Sequence, residues 1–326
     1  MDVVLQVFVL VASLAFLSKF SHLTITSLVK ISKITKIEEV SVGFVILSLT
    51  TSLPELMISG ISAMYGDVGI AVGNVFGSNI ANVCLILGIS AVMFSLSITE
   101  RNLRKILNIL SLSSLITIVL INIKDGTHYM APILLTTFFV FAAYSTKKKI
   151  SIERLKTKPR TELERALIPV KLYKSILFFF IGIVGIYVSS HFVVTSGSFI
   201  ARHLNIPETV IGATIIAFGT SLPELSTTLT AIKERHINLA MGNVIGSCLT
   251  NLTLVLGVTL FLSPLRVDMT IFSTIVMFAL GSTILLEFFL GSMGRGKLDR
   301  MEGVILTILY IFFLITTFSV EMTLMK

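Results

Sequence analysis

Glu55 and Glu224 each lie in the middle of a long apolar stretch, and each directly follows a proline, Pro54 or Pro223. A carboxylate at the centre of a bilayer costs on the order of 3 kcal/mol even on the gentler insertion scale, so such a residue marks a working site. Two carboxylates sharing one dry site repel, and one takes a proton unless a cation comes between them. A divalent cation neutralises the pair. The prolines add ligands, because Pro54 has no amide hydrogen for the Thr50 carbonyl and Pro223 has none for the Gly219 carbonyl. In lipid a freed carbonyl is tolerated where protein, water or an ion satisfies it. A single such proline reads more simply as a kink closed by the Thr51 or Thr220 hydroxyl. Two at matched positions, each followed by an acid, point to a cation.

More oxygen donors follow at helical spacing. Ser78 and Asn82 share a helix face, and Ser247 and Asn251 repeat the arrangement. Calcium takes six to eight oxygens in loose geometry and suits this donor set, whereas magnesium demands a tight octahedron and sheds water reluctantly. No His or Cys cluster offers transition-metal ligands. Cys84 and Cys248 sit within apolar segments as packing residues with no disulfide or metal spacing. His191 and Glu287 read as packing or interfacial residues, His191 with the capacity to carry a proton. Glu38 and Glu39 open a span, where acids favour the helix N-terminus. With no metal motif and no serine–histidine pairing, an enzyme is not expected, nor is a cofactor.

The elements that must hold these residues are membrane helices. The chain has 326 residues, 54% hydrophobic and 13% charged, with mean hydropathy +0.94. A soluble domain carries about 25% charged residues. The apolar stretches have the length of about 20 residues that crosses the hydrocarbon core, and they do not alternate as barrel strands do. Residues 1–22 show no small-residue cleavage site and are expected to be a first span rather than a signal peptide. The fold class is an all-α polytopic membrane protein with ten spans, near 3–22, 37–64, 67–97, 104–122, 128–145, 173–201, 208–232, 237–263, 268–290 and 302–320. Residues 1–145 and 173–326 each carry five, and a basic linker, 146–172, separates them.

Lysine and arginine concentrate in alternate loops: Lys30, Lys33 and Lys36; Arg101, Arg104 and Lys105; the linker; Lys233 and Arg235; Arg295, Lys297 and Arg300. The positive-inside rule then puts the linker in the cytoplasm and the N-terminus outside. The net charge of +8 sets topology and does not indicate nucleic acid. The expected partners are small cations and the lipid bilayer, with no obligate protein partner.

Residues 43–88 align without a gap on 212–257, at an offset of 169, with 18 identities in 46 positions. T-S-L-P-E-L stands at 51–56 and 220–225, and G-N-V-x-G-S at 73–78 and 242–247. With an odd number of spans in each half, the second half inserts upside down relative to the first. Inverted repeats of this kind place their site at the repeat interface. The G-x-x-x-G pairs at 73/77 and 242/246 let helices approach closely and are expected to bring span three against the broken span two.

The doubled T-S-L-P-E-L, each copy followed by G-N-V-x-G-S and an asparagine, resembles the α-repeats of the calcium/cation antiporter superfamily, most closely its prokaryotic sodium/calcium exchanger branch. The motifs cover about 90 residues, and the layout extends the likeness to the whole chain. The resemblance implies ten helices and alternating access by sliding of the two peripheral first helices of each half. It implies that Glu55 and Glu224 bind calcium and sodium, and that Thr51, Ser52, Thr220 and Ser221 line the site opposite Ser78 and Ser247. Asn82, Asn251 and the backbone carbonyls of Ser48 and Ala217 complete it. One position departs from the pattern: exchangers of this type usually carry an aspartate where this chain has Asn251. Two acids remain, so a calcium/proton exchanger with the same site stands as the alternative to calcium/sodium exchange. A cation channel is the more distant one.

Overall fold

The computed structural model describes residues 3–35, 48–98, 100–122, 129–147, 168–264, 269–291 and 296–324. In chain order its helical rods are α1 (Val3–Thr35), α2 (Leu53–Tyr65, preceded by helical residues 48–51), α3 (Val68–Phe94), α4 (Glu100–Asn122), α5 (Met130–Lys147) and α6 (Ile168–Leu204). They continue with α7 (Glu208–Lys233), α8 (Ile237–Leu262), α9 (Met269–Gly291) and α10 (Arg300–Leu324).

Among the described residues, seven helices are long and apolar enough to cross a membrane. They are α1, α3, α6, α7, α8, α9 and α10. The other three expected spans fall short for separate reasons. The apolar runs of α4 and α5 are shorter, Ile106–Val119 and Met130–Ala143; the first turns of α4 hold Glu100, Arg101, Arg104 and Lys105. Residues 37–47 of the second expected span lie outside the described residues. So does most of the expected linker, and helix reaches into both of its ends, to Lys147 in α5 and from Ile168 in α6. Large apolar side chains point outward along the rods, among them Phe8, Phe139, Phe180, Met277 and Ile308. That is how helices face lipid rather than water.

Two apolar clusters hold the rods together. The larger runs through α3, α4, α8, α9 and α10, around Phe76, Leu87, Leu110, Val244, Leu256, Val276 and Phe313. The smaller seats α1 and α6, through Leu10, Leu14, Leu17, Ile186 and Val193, on Ile58 of α2, Ile70 of α3 and Ile216 of α7. α1 and α6 pack against each other along their lengths. Gly182 meets Thr24 while Gly185 meets Phe20, so the two helices run antiparallel.

The repeated motifs fold alike. Each T-S-L-P-E-L interrupts its rod at the serine: Ser52 has φ −82° and ψ 8°, and Ser221 has φ −81° and ψ 0°. The proline then occupies the first turn of the next helical stretch, where a missing N–H costs nothing. The following corner is left-handed in both copies, at Gly66 (φ 83°) and at Arg235 (φ 63°). Asp67 N–H and His236 N–H close the corners onto the Ser62 and Ala231 carbonyls, at 2.9 and 2.8 Å. Each third rod is π-wound in mid-course, Ala81–Ile86 in α3 and Asn251–Val255 in α8, and α7 has a further π segment at Gly212–Ile216. π turns collect at functional sites.

The small residues of α3 meet a different partner from the one expected. A methyl group on Gly77 would lie 2.3 Å from the Ala213 carbonyl oxygen, and one on Gly73 would lie 2.3 Å from that of Thr209. Thus α3 presses on the first part of α7, across the repeat boundary, and the two run in the same direction. The all-α expectation also needs a small addition: Leu96–Ser97 and Lys297–Leu298 form a two-residue antiparallel ladder, Leu96 opposite Leu298. The ladder joins the end of α3 to the start of α10, whose Gly303 and Thr307 pack on Gly88.

Candidate functional site

Glu55 and Glu224 occupy the first turns of the helical stretches that follow the two breaks. Both are completely buried. Neither carboxyl group has a hydrogen-bond partner, although Thr220 lies beside Glu55, and Thr51 and Ser247 lie beside Glu224. The two acids are near enough for their charges to repel. Each acid therefore faces the threonine hydroxyl of the opposite repeat, and Glu224 also faces Ser247 of its own.

The hydroxyls around them form two matching triangles. Thr51 Oγ1 lies 3.2 Å from the Ser48 carbonyl, 3.2 Å from Ser247 Oγ and 3.4 Å from Asn243 Oδ1. Thr220 Oγ1 lies 3.1 Å from the Ala217 carbonyl, 3.2 Å from Ser78 Oγ and 3.1 Å from Asn74 Oδ1. A hydroxyl has one hydrogen to give, so each threonine serves one of several acceptors at a time. The Ser48 and Ala217 carbonyls also accept the Ser52 and Ser221 N–H groups, at 3.0 and 3.1 Å.

Other polar atoms in the same region are buried and unpartnered. They are the Ser52 and Ser221 hydroxyls, the Asn251 oxygen and both ends of the Asn82 amide. With the four carboxyl oxygens, this makes eight unpartnered buried oxygens on Glu55, Glu224, Ser52, Ser221, Asn82 and Asn251. Protein interiors do not leave such atoms orphaned without a reason, and an ion is one. Among the described residues, no three of His, Cys, Asp and Glu gather to form a softer metal cage.

The residues singled out in the sequence thus lie on the elements that meet at the repeat boundary. Asn74 and Asn243 were missed. They accept the threonine hydroxyls from across that boundary, and Asn74 also donates to Ser59 at 3.1 Å. Their signal was present, since both stand in G-N-V-x-G-S. Asn79 was missed as well; its repeat mate is Cys248, so the alignment gave no cue. His191 lies outside this region, 3.0 Å from the Tyr65 hydroxyl. Glu287 accepts a hydrogen bond from Ser111 between α9 and α4.

At the α2–α3 corner a second polar cluster ties α6 down. Arg202 and Ser198 of α6 both donate to the Asp67 carboxylate, and Arg202 Nε lies 3.3 Å from Glu208 Oε1 at the start of α7. A cavity of about 610 Å³ opens beside this clasp, and Thr195 and Phe199 also line it. None of its lining residues belongs to the acid site.

Comparison with known proteins agrees with this arrangement. The chain is 30% identical to the sodium/calcium exchanger MaX1 of Methanosarcina acetivorans, over 96% of this chain and 98% of that one. It is also 30% identical to the putative antiporter CaxA of Alkalimonas amylolytica, over 85% and 88% of the two chains. Among solved structures it is similar to the sodium-calcium exchanger NCX_Mj, with TM-score 0.64 and 26% identity, over 95% of this chain and 98% of that one. The sodium/calcium exchanger protein family matches residues 5–147 and 174–319, each match carrying one of the two buried acids, its proline break and the π-wound helix that follows, and the chain belongs to that family.

Proposed function

We propose that this chain is a secondary antiporter that exchanges calcium for sodium across the cell membrane, with both ions competing for Glu55 and Glu224. One observation carries the reading: eight buried oxygens, four of them carboxylate, stand unpartnered where the two repeats meet. Calcium draws its six to eight ligands from such a set. Glu55, Glu224, Ser52, Ser221, Asn82 and Asn251 supply the free oxygens. Thr51, Thr220, Ser78 and Ser247 orient them, and the Ser48 and Ala217 carbonyls join when a threonine hydroxyl gives way. Without an ion, two bare charges face a dry barrier, and that penalty favours exchange over leak. The names borne by the relatives favour sodium as the counter-ion.

The same reading takes the ten rods as two inverted five-helix repeats, with the N-terminus outside and the basic linker in the cytoplasm. The antiparallel packing of the equivalent helices α1 and α6 supports inversion. Alternating access then comes from α1 and α6 moving together over the rest, which their separate apolar cluster supports.

Calcium uptake into proteoliposomes tests the proposal, with sodium and pH gradients imposed separately. Uptake should follow the opposing sodium gradient and vanish in Glu224→Gln. Uptake that ignores sodium and follows the pH gradient would replace the counter-ion. Single-channel currents without coupling would replace antiport altogether.

A further inference from the structure

Asn79 breaks the match between repeats at the point where they touch. It is on α3, three residues before Asn82, and is nearly fully buried, whereas the offset of 169 puts Cys248 in its place on α8. Its amide is committed at both ends. Asn79 Nδ2 donates to the Cys248 carbonyl at 3.2 Å, and Asn79 Oδ1 accepts from Asn251 Nδ2 at 3.1 Å. With its NH₂ turned to a backbone carbonyl, Asn79 presents its oxygen, an acceptor, to residue 251. Asn251 must then turn its NH₂ towards Asn79 and its oxygen away, and that oxygen is the buried, unpartnered one. Asn82, the repeat mate of Asn251, has no amide partner of this kind, although the Cys248 thiol lies beside it.

We infer that Asn79 is a positioning residue that aims the Asn251 oxygen at the cation and reserves position 251 for a hydrogen-bond donor. This rests on the proposed cation site at Glu55 and Glu224. A carboxylate at 251 would set its lone pairs against the Asn79 oxygen, and rotating the Asn79 amide to relieve that would set its oxygen against the Cys248 carbonyl. An unmade bond at a buried polar group costs more than the bond itself contributes. Asn79 thereby keeps the site at two formal negative charges, and it lends Asn251 a fixed direction that Asn82 lacks.

A double-mutant cycle tests this, because it isolates the interaction between two positions. Calcium KM and maximal rate are measured at alkaline pH in proteoliposomes of wild type, Asn79→Leu, Asn251→Asp and the double variant, with Glu224→Gln as reference. Should Asn79→Leu not fold, Asn79→Ser, whose hydroxyl is too short to reach Asn251, takes its place in the cycle. Asn79→Leu should raise calcium KM about tenfold and change the maximal rate far less, as expected for a lost binding geometry. The penalty of Asn251→Asp on KM should be about tenfold larger with Asn79 present than with leucine there. Penalties that simply multiply, or a calcium KM untouched by Asn79→Leu, would overturn the role of Asn79. Full transport in Glu224→Gln would instead overturn the cation site on which the role rests.

Discussion

The Thr51 hydroxyl of the first repeat lies 3.2 Å from the Ser247 hydroxyl of the second, and Thr220 repeats the relationship with Ser78 at the same distance. Each threonine bridges a broken rod to the π-wound rod of the other half. Replacing Thr51 or Thr220 by valine keeps the shape and removes the hydroxyl, leaving a buried serine and asparagine short of a partner. Such losses run to about 1–3 kcal/mol. Calcium KM should rise on the order of tenfold in either variant, to similar extents, in uptake assays. A large loss in one and none in the other would show that the two hydroxyls do not play matching roles.

If the two uncompensated buried acids hold the cation as proposed, the protein should depend on that ion for stability. A ligand that binds only the folded state stabilises it by about 2.7 kcal/mol at a hundred times its dissociation constant. Calcium should therefore raise the midpoint of thermal unfolding of the purified protein, and a chelator should lower it. Glu55→Gln with Glu224→Gln should unfold at a higher temperature than wild type in chelator and show no response to calcium. A calcium-dependent shift that survives in the double variant would place the ion elsewhere.

The glycines separate close packing from mere flexibility. Gly77→Ala puts a methyl group 2.3 Å from the Ala213 carbonyl oxygen. Overpacking of this kind costs about 1–3 kcal/mol, so the variant should unfold several degrees lower in detergent. Gly60, on α2, has nothing within 4 Å of the added carbon. Gly60→Ala should gain up to about 1 kcal/mol from helix propensity. Equal destabilisation by both would mean that α3 and α7 do not touch as closely as Gly77 and Ala213 indicate.

The Asp67–Arg202 pair should matter for movement more than for folding. Arg202 is 68% exposed, and ion pairs with one wet partner are worth about 1 kcal/mol or less. Asp67→Asn should leave the unfolding midpoint within a few degrees of wild type. If α6 slides during transport, the clasp must open, so the same variant should change the maximal rate while leaving calcium KM in place. An altered KM with an unaltered rate would tie Asp67 to ion binding instead.

The part of the candidate site written in side-chain type is legible in the sequence. Glu55 and Glu224 stand out as acids in apolar surroundings, and their prolines locate the breaks to within about two residues, at Ser52 and Ser221. Features that depend on how two rods meet were not legible. No residue type encodes a π turn, so Ser78 and Asn82 were placed on one ordinary helical face although a π segment opens between them at Ala81. The G-x-x-x-G at 73/77 told of a close neighbour, but the one expected was the broken span two, and the neighbour is α7 of the other repeat. Asn79 carried no signal, because its importance comes from the Cys248 backbone and the Asn251 side chain arriving from elsewhere. The Leu96–Leu298 ladder is too short to show any alternation.

That ladder also bears on how the protein is made. Its two strands are separated along the chain by α4 to α9. While the ribosome is still extending the nascent polypeptide, Leu96 has no Leu298 to pair with, and the Gly88 surface of α3 has no α10 to cover it. Sealing that end is among the last events of biogenesis. A chain stalled before Lys297 therefore carries an open seam along α3, which closes only when the last helix arrives.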